Sequence, residues 1–178
     1  MKEKIKQEWQ NMRFSTDKTP EEMQRIMEGR RRTALENLAR RYRSFSFIGF
    51  VMAIASIQWY NFSLFGDHRA AVATIFIAYF LICGIIDTIF YRMIRAIDIT
   101  EMSISDVASR ALQCRKRHFQ AIAILFPLVI AIIGLMAYIS SGDKYFLIGM
   151  GAGAAVGLAI GILQLRNFLH DYRDLTRL

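Results

Sequence analysis

The sequence predicts an all-α fold, an integral membrane four-helix bundle with cytoplasmic helical extensions, and three observations carry that expectation. First, charge is segregated: no Lys, Arg, Asp or Glu occurs in residues 44–66, 70–86, 119–142 or 145–165. Each run approaches or exceeds the ~20 residues with which an α-helix crosses a hydrocarbon core of about 30 Å. Second, 54% of the 178 residues are hydrophobic and only 2 are proline, which suits long helices better than a loop-rich core. Third, of the 23 Lys and Arg, 12 fall in residues 1–44, 6 in 92–118 and 3 in 166–178. The positive-inside rule puts these three segments on the cytoplasmic side, with both termini, and leaves short outer turns around Asp67 and Asp143. The net charge of +8 is then explained by anionic lipid headgroups, and no nucleic acid partner is expected.

The predicted organisation follows. Residues 1–44 form a cytoplasmic N-terminal helical region. Residues 45–165 form the transmembrane domain, with helices at about 45–65, 70–91, 119–141 and 145–165 and a cytoplasmic loop or stalk at 92–118. Residues 166–178 are a cytoplasmic tail. No cleavable secretory signal pattern precedes the first run, so it reads as an uncleaved signal anchor.

At the N-terminus, Ile5, Trp9 and Met12 share one face of a short amphipathic helix over 2–13. Thr19, Pro20 and Glu22 then signal a helix start: a capping threonine, proline at the first helical position, glutamate three residues after the cap. Its apolar stripe, which includes Ile26, Ala34, Leu38 and Tyr42, is interrupted by Arg30, Arg31 and Arg32. These three are expected in a solvated or headgroup-facing patch, with docking on an acidic protein as the alternative. Arg40, Arg41 and Arg43 stand closer to the membrane and are expected to snorkel to its surface.

In the first transmembrane helix, Gln58 is expected to find a partner across a helix interface, and Trp59 and Tyr60 to form an aromatic belt. The second carries Asp87, the one acidic residue within a hydrophobic span. A structural ion pair with Arg43, Arg92, Lys116, Arg117 or Arg166 is the leading reading of Asp87, and a proton or cation site is the alternative. Ser103 to Asp106 fit a capping box, so the third helix should begin outside the membrane and run inward, packing as a stalk beside the N-terminal helix. Its Pro127 is a potential kink. In the fourth, Gly149, Gly153, Gly157 and Gly161 form overlapping Gly-x-x-x-Gly steps. Ala152, Ala155 and Ala159 widen the set of small residues, and such a face lets another helix approach at backbone distance. It is expected mainly as a packing seam within the chain, with a homodimer face second.

Enzyme chemistry is not indicated. The sequence has no Gly-x-Ser-x-Gly elbow, no Walker loop, no His-Glu-x-x-His and no paired carboxylates within the spans. Its two cysteines, Cys83 and Cys114, form no Cys-x-x-Cys pair, and Cys114 with His118 is a metal-type pair without a second one. No metal or cofactor is expected.

The stretch from Arg31 to Tyr42, Arg-Arg-Thr-Ala-Leu-Glu-Asn-Leu-Ala-Arg-Arg-Tyr, resembles that of small, uncharacterised four-helix membrane proteins of bacteria. The resemblance implies a multi-pass protein of the bacterial cytoplasmic membrane and brings no activity with it. The layout, a short helical region ahead of a span, is also similar to membrane-bound anti-sigma factors, although the zinc-binding His and Cys pattern of many of these is absent. The functional expectation is a non-catalytic membrane protein whose cytoplasmic N-terminal helices tether or regulate a protein partner. The alternative is a small oligomeric transporter or channel that uses Asp87.

Overall fold

The structure is a computed structural model and describes residues 20–176; the amphipathic segment 2–13 and the cap Thr19 lie outside the described residues. Four α-helices are present and no strand occurs among the described residues: α1 (Pro20–Ala55), α2 (Arg69–Arg95), α3 (Ile104–Ile139) and α4 (Lys144–Thr176). Two 3-10 segments, Ser56–Asn61 and Ser63–His68, connect α1 to α2.

Local chemistry sets these boundaries. α1 begins at Pro20, whose ring presets φ and whose missing N–H costs nothing in a first turn. Its α-geometry ends at Ala55, short of the 45–65 expectation. Ser56 there turns its hydroxyl back to donate to the Met52 carbonyl at 2.7 Å, a bond that competes with the helical ladder. The turn into α2 passes through Gly66 at φ 48°, a backbone conformation that favours glycine. α3 starts as expected: Ser103 Oγ accepts from the Asp106 N–H at 3.2 Å and donates to the Asp106 carboxylate at 2.6 Å. The helix continues unbroken through Pro127. Asp143 Oδ1 accepts from the Phe146 N–H at 3.0 Å and caps the start of α4.

The helices follow one another around a ring, each packed on its sequence neighbours and α4 closing back onto α1; α1 and α3 are diagonal. The two stalks therefore share a core and do not lie side by side. The most extensive contact is α1 on α2, and its cause is a glycine pair. A Cβ placed on Gly49 would stand 2.9 Å from the Gly84 Cα, and one on Gly84 would stand 3.3 Å from the Ser46 carbonyl oxygen. Without side chains at this crossing the backbones come close enough for Ser46 and Thr88 to share a 2.7 Å hydrogen bond.

Packing is concentrated at the two ends. The larger core lies at the basic end, built from Leu38 and Tyr42 of α1, Phe90 and Ile94 of α2, Ala111 and Cys114 of α3, and Phe168, Tyr172 and Leu175 of α4. A smaller one, with Phe65, Val72 and Met136 at its centre, closes the opposite end under Trp59 and Phe146. Between them α3 and α4 stand apart: residues 151–163 of α4 are all exposed. The glycine ladder does not pack inside the chain. A Cβ added at Gly149, Gly153, Gly157 or Gly161 would meet nothing within 4 Å, because α4 is held at its ends and spans the interval alone.

Three segments are long and apolar enough to cross a membrane: Leu64–Arg95, Ile104–Ile139 and Lys144–Thr176. The first charge-free run is absent from this set because its α-helical part stops at Ala55.

Candidate functional site

The basic end brings together most of the polar side chains that the fold orders. Tyr42 of α1 and Tyr172 of α4 share a hydrogen bond of 2.9 Å, and Tyr172 donates onward to Cys114 Sγ of α3 at 3.3 Å. A phenol has one proton to give, so Tyr42 is the donor to Tyr172. Burial raises both phenols well above their ordinary range and raises the Cys114 thiol, which keeps all three protonated and makes Cys114 a poor nucleophile. His118 lies against this network, its ring 5.0 Å from Phe168, 5.4 Å from Tyr42 and 5.5 Å from Phe90. Burial among these rings pushes His118 down to about 4, so the imidazole is neutral at physiological pH.

Alongside runs one ordered ion pair. Arg41 Nε donates to Asp171 Oδ2 at 3.2 Å, its Nη1 donates to Gln164 Oε1 at 2.9 Å, and the guanidinium lies 6.0 Å from the centre of the Phe168 ring. Asp171 is 7% exposed. Its burial raises the carboxyl above the usual range, and Arg41 acts in the opposite direction. The arrangement clamps α1 to α4; it does not poise an acid or a base.

The arginines predicted as one surface separate into two groups. Arg30, Arg32, Arg40 and Arg43 are exposed. Arg32 lies 3.4 Å from Glu36 in a surface pair that contributes little. Arg31 is 5% exposed and belongs to the fold, as Arg41 does, which corrects the expectation of a solvated run. The helical repeat is the reason: Ala34, Leu38 and Tyr42 carry the buried face, and Arg31 stands one turn before Ala34 on the same face.

Asp87 is half-buried and, among the described residues, has no Lys or Arg within 4 Å, so the predicted interhelical clamp is absent. Tyr42 and Phe90, with ring centres 5.4 Å apart, fill the space between α1 and α2 at that level, and Arg43 and Arg92 are exposed. Gln58 is exposed as well and lines a 360 Å³ pocket with Trp59, Phe62, Phe76 and Phe80, so it is not the buried interface amide expected.

Gly84 and the Arg41–Asp171 pair were not expected from the sequence. A signal for the first existed: Ser46, Gly49 and Ala53 share one face of α1, and Gly84 stands four residues before Thr88 on α2. The pair across α1 and α4 had none, being 130 residues apart in the chain.

An open groove of about 820 Å³ lies between α1 and the loop after α2, where Arg25, Arg32 and Arg95 are matched by Glu28, Glu36 and Asp98. It is lined by both signs and has no net preference for an anion. Among the described residues no group of three His, Cys, Asp or Glu side chains converges as a metal site would require. No protein family, curated protein or solved structure matches this chain.

Proposed function

We propose that this chain is a non-catalytic, multi-pass protein of a bacterial cytoplasmic membrane, and that its N-terminal helical end tethers or regulates a protein partner on the cytoplasmic side. Three apolar helices support the membrane reading. The first charge-free run supports a fourth crossing in a mixed form. Residues 45–55 rise about 17 Å as α-helix and Ser56–Asn61 about 12 Å as 3-10 helix, close to a hydrocarbon thickness of about 30 Å. The bias of Lys and Arg toward the end that holds both described termini supports the orientation.

The observation that carries the tether is the reach of α1. Among the described side chains its buried stripe begins at Arg31 and Ala34, whereas the helix begins at Pro20. Fourteen residues, about 21 Å of helix, thus extend past the first apolar core position. Ile26 and Met27 on this extension are 38% and 36% exposed. A photo-crosslinking residue at Met27 should, in intact membranes, label a cytosolic protein, and the same protein should cease to co-purify with the chain when residues 1–33 are deleted. Labelling of lipid alone would sink the tether.

One observation favours the transport alternative: Asp87 is a half-buried carboxylate within a span and lacks a cationic partner within 4 Å. Loss of a proton or cation flux in liposomes on Asp87→Asn would put transport first, and an absence of flux in the parent protein would remove it.

A further inference from the structure

Four rings, one from each helix, meet at one level: Tyr42 of α1, Phe90 of α2, His118 of α3 and Phe168 of α4. Their centres are 5.4 Å apart for Tyr42 and Phe90, 5.1 Å for Tyr42 and Phe168, and 5.0 Å for His118 and Phe168. His118 closes the set, at 5.4 Å from Tyr42 and 5.5 Å from Phe90. Contacts this close bring the four helices into register, so residues one or two positions away differ in depth from their ring by only about 3 Å. In every helix such a position holds an arginine: Arg43, Arg92, Arg117 and Arg166. One or two steps along a helix turn these arginines about 100° or 200° away from their rings. All four are exposed.

None of the four has a carboxylate within 4 Å among the described residues. Arg117 reaches only Met93 Sδ, at 4.0 Å, and the nearby Asp171 is taken up by Arg41. The aromatic junction therefore displays one uncompensated guanidinium per helix around the whole circumference. Arg43, Arg117 and Arg166 stand one or two positions from the charge-free runs 44–66, 119–142 and 145–165, and Arg92 stands six positions beyond the end of 70–86, with Asp87 between.

We propose that Arg43, Arg92, Arg117 and Arg166 form a ring that binds the phosphates of anionic lipid headgroups. The inference rests on the membrane reading above. Guanidinium groups present a planar fork of donors that matches phosphate oxygens, and a cation beside an anionic leaflet is attracted at every point of the ring. The occupant is a lipid because the ring faces outward on all sides at the mouth of the apolar spans. Lipids that bind the folded chain, where the four arginines share one depth, more tightly than the unfolded one stabilise the fold.

The test uses the full chain in neutral detergent, with phosphatidylglycerol or phosphatidylcholine added, read by native mass spectrometry and by thermal unfolding. Phosphatidylglycerol should be retained and should raise the melting temperature, whereas phosphatidylcholine and inorganic phosphate should do neither. Replacing the four arginines by glutamine should remove the preference, and each single replacement should weaken retention about fivefold. The charge-matched control replaces Arg25, Arg30, Arg110 and Arg173, all exposed and away from the ring, and should keep the preference. If the fourfold variant does not fold, the single variants carry the test. Equal loss in the control would reduce the ring to net charge and overturn the proposal, as would a shift reproduced by inorganic phosphate. A chain that leaves the membrane fraction on alkaline washing would instead sink the membrane reading itself, so the two failures are distinct.

Discussion

His118 is in ring contact with side chains from the other three helices, and its neutrality follows from the apolar faces of Phe90, Phe168 and Tyr42 around it. Its pKa falls from 6.5 in the unfolded chain to about 4 in the fold, so the unfolded state binds the proton more tightly. Its share of stability is present above pH 6.5 and is lost as pH falls toward 4, by about 3 kcal/mol at the lower limit. Asp171 has the opposite sign, since burial raises its carboxyl. The His118 share is therefore read as the difference between parent and His118→Phe: unfolding free energies measured between pH 7 and pH 4 should fall more steeply in the parent. Parallel curves would remove the histidine from the account. Arg41 and Asp171 allow a second comparison. Arg41→Met leaves a carboxylate that is 7% exposed without its cation, whereas Asp171→Asn leaves a guanidinium with 28% of its side chain open to solvent. Urea unfolding should show a loss of about 2 kcal/mol for Arg41→Met and about 1 kcal/mol for Asp171→Asn. None of this was legible in the residues themselves. Arg41 belongs to a basic string, and nothing local separates it from Arg40 and Arg43.

At the scale of elements, the two sets of glycines exchange the roles that their spacing suggests. The Gly149 to Gly161 ladder has the stronger pattern and no neighbour; Gly49 and Gly84 have the weaker pattern and are the glycines at which another helix arrives. Gly49→Ala places a methyl 2.9 Å from backbone atoms of α2 and should cost about 1–3 kcal/mol, measured by thermal unfolding. Gly153→Leu enters open space and should leave monomer stability unchanged, whereas a change in oligomer mass would point to a second copy on that face. Spacing shows that a helix could pack closely but not whether another arrives. The same distinction explains α1. Its start was readable from Pro20, but its passage into 3-10 geometry at Ser56 was not: the Ser56 bond to the Met52 carbonyl accompanies the change, yet Thr33, Thr74 and Thr88 make the same bond inside unbroken helix.

For the whole molecule, the ring order α1, α2, α3, α4 with antiparallel neighbours sets a topology that can be tested from both sides of a membrane. With Cys83 and Cys114 replaced by alanine, a cysteine at Ser103 should react with an impermeant maleimide only after the cell is opened, and one at Ser141 in intact spheroplasts. The reverse result would invert the bundle. Four charge-free runs, the distribution of Lys and Arg, and the start signals at Pro20 and Ser103 determined by themselves that this chain is helical, where its first and third helices begin and which segments lie together at the basic end. Those are consequences of hydrogen bonding and solvation along the chain, and they act locally. Tertiary structure alone decided that the helices meet at Tyr42, Phe90, His118 and Phe168, that Arg41 turns inward while Arg43 turns outward, and that Asp87 lacks its clamp. Such outcomes depend on which faces coincide when residues more than a hundred positions apart are brought to one depth, and that is a property of the packed helices together.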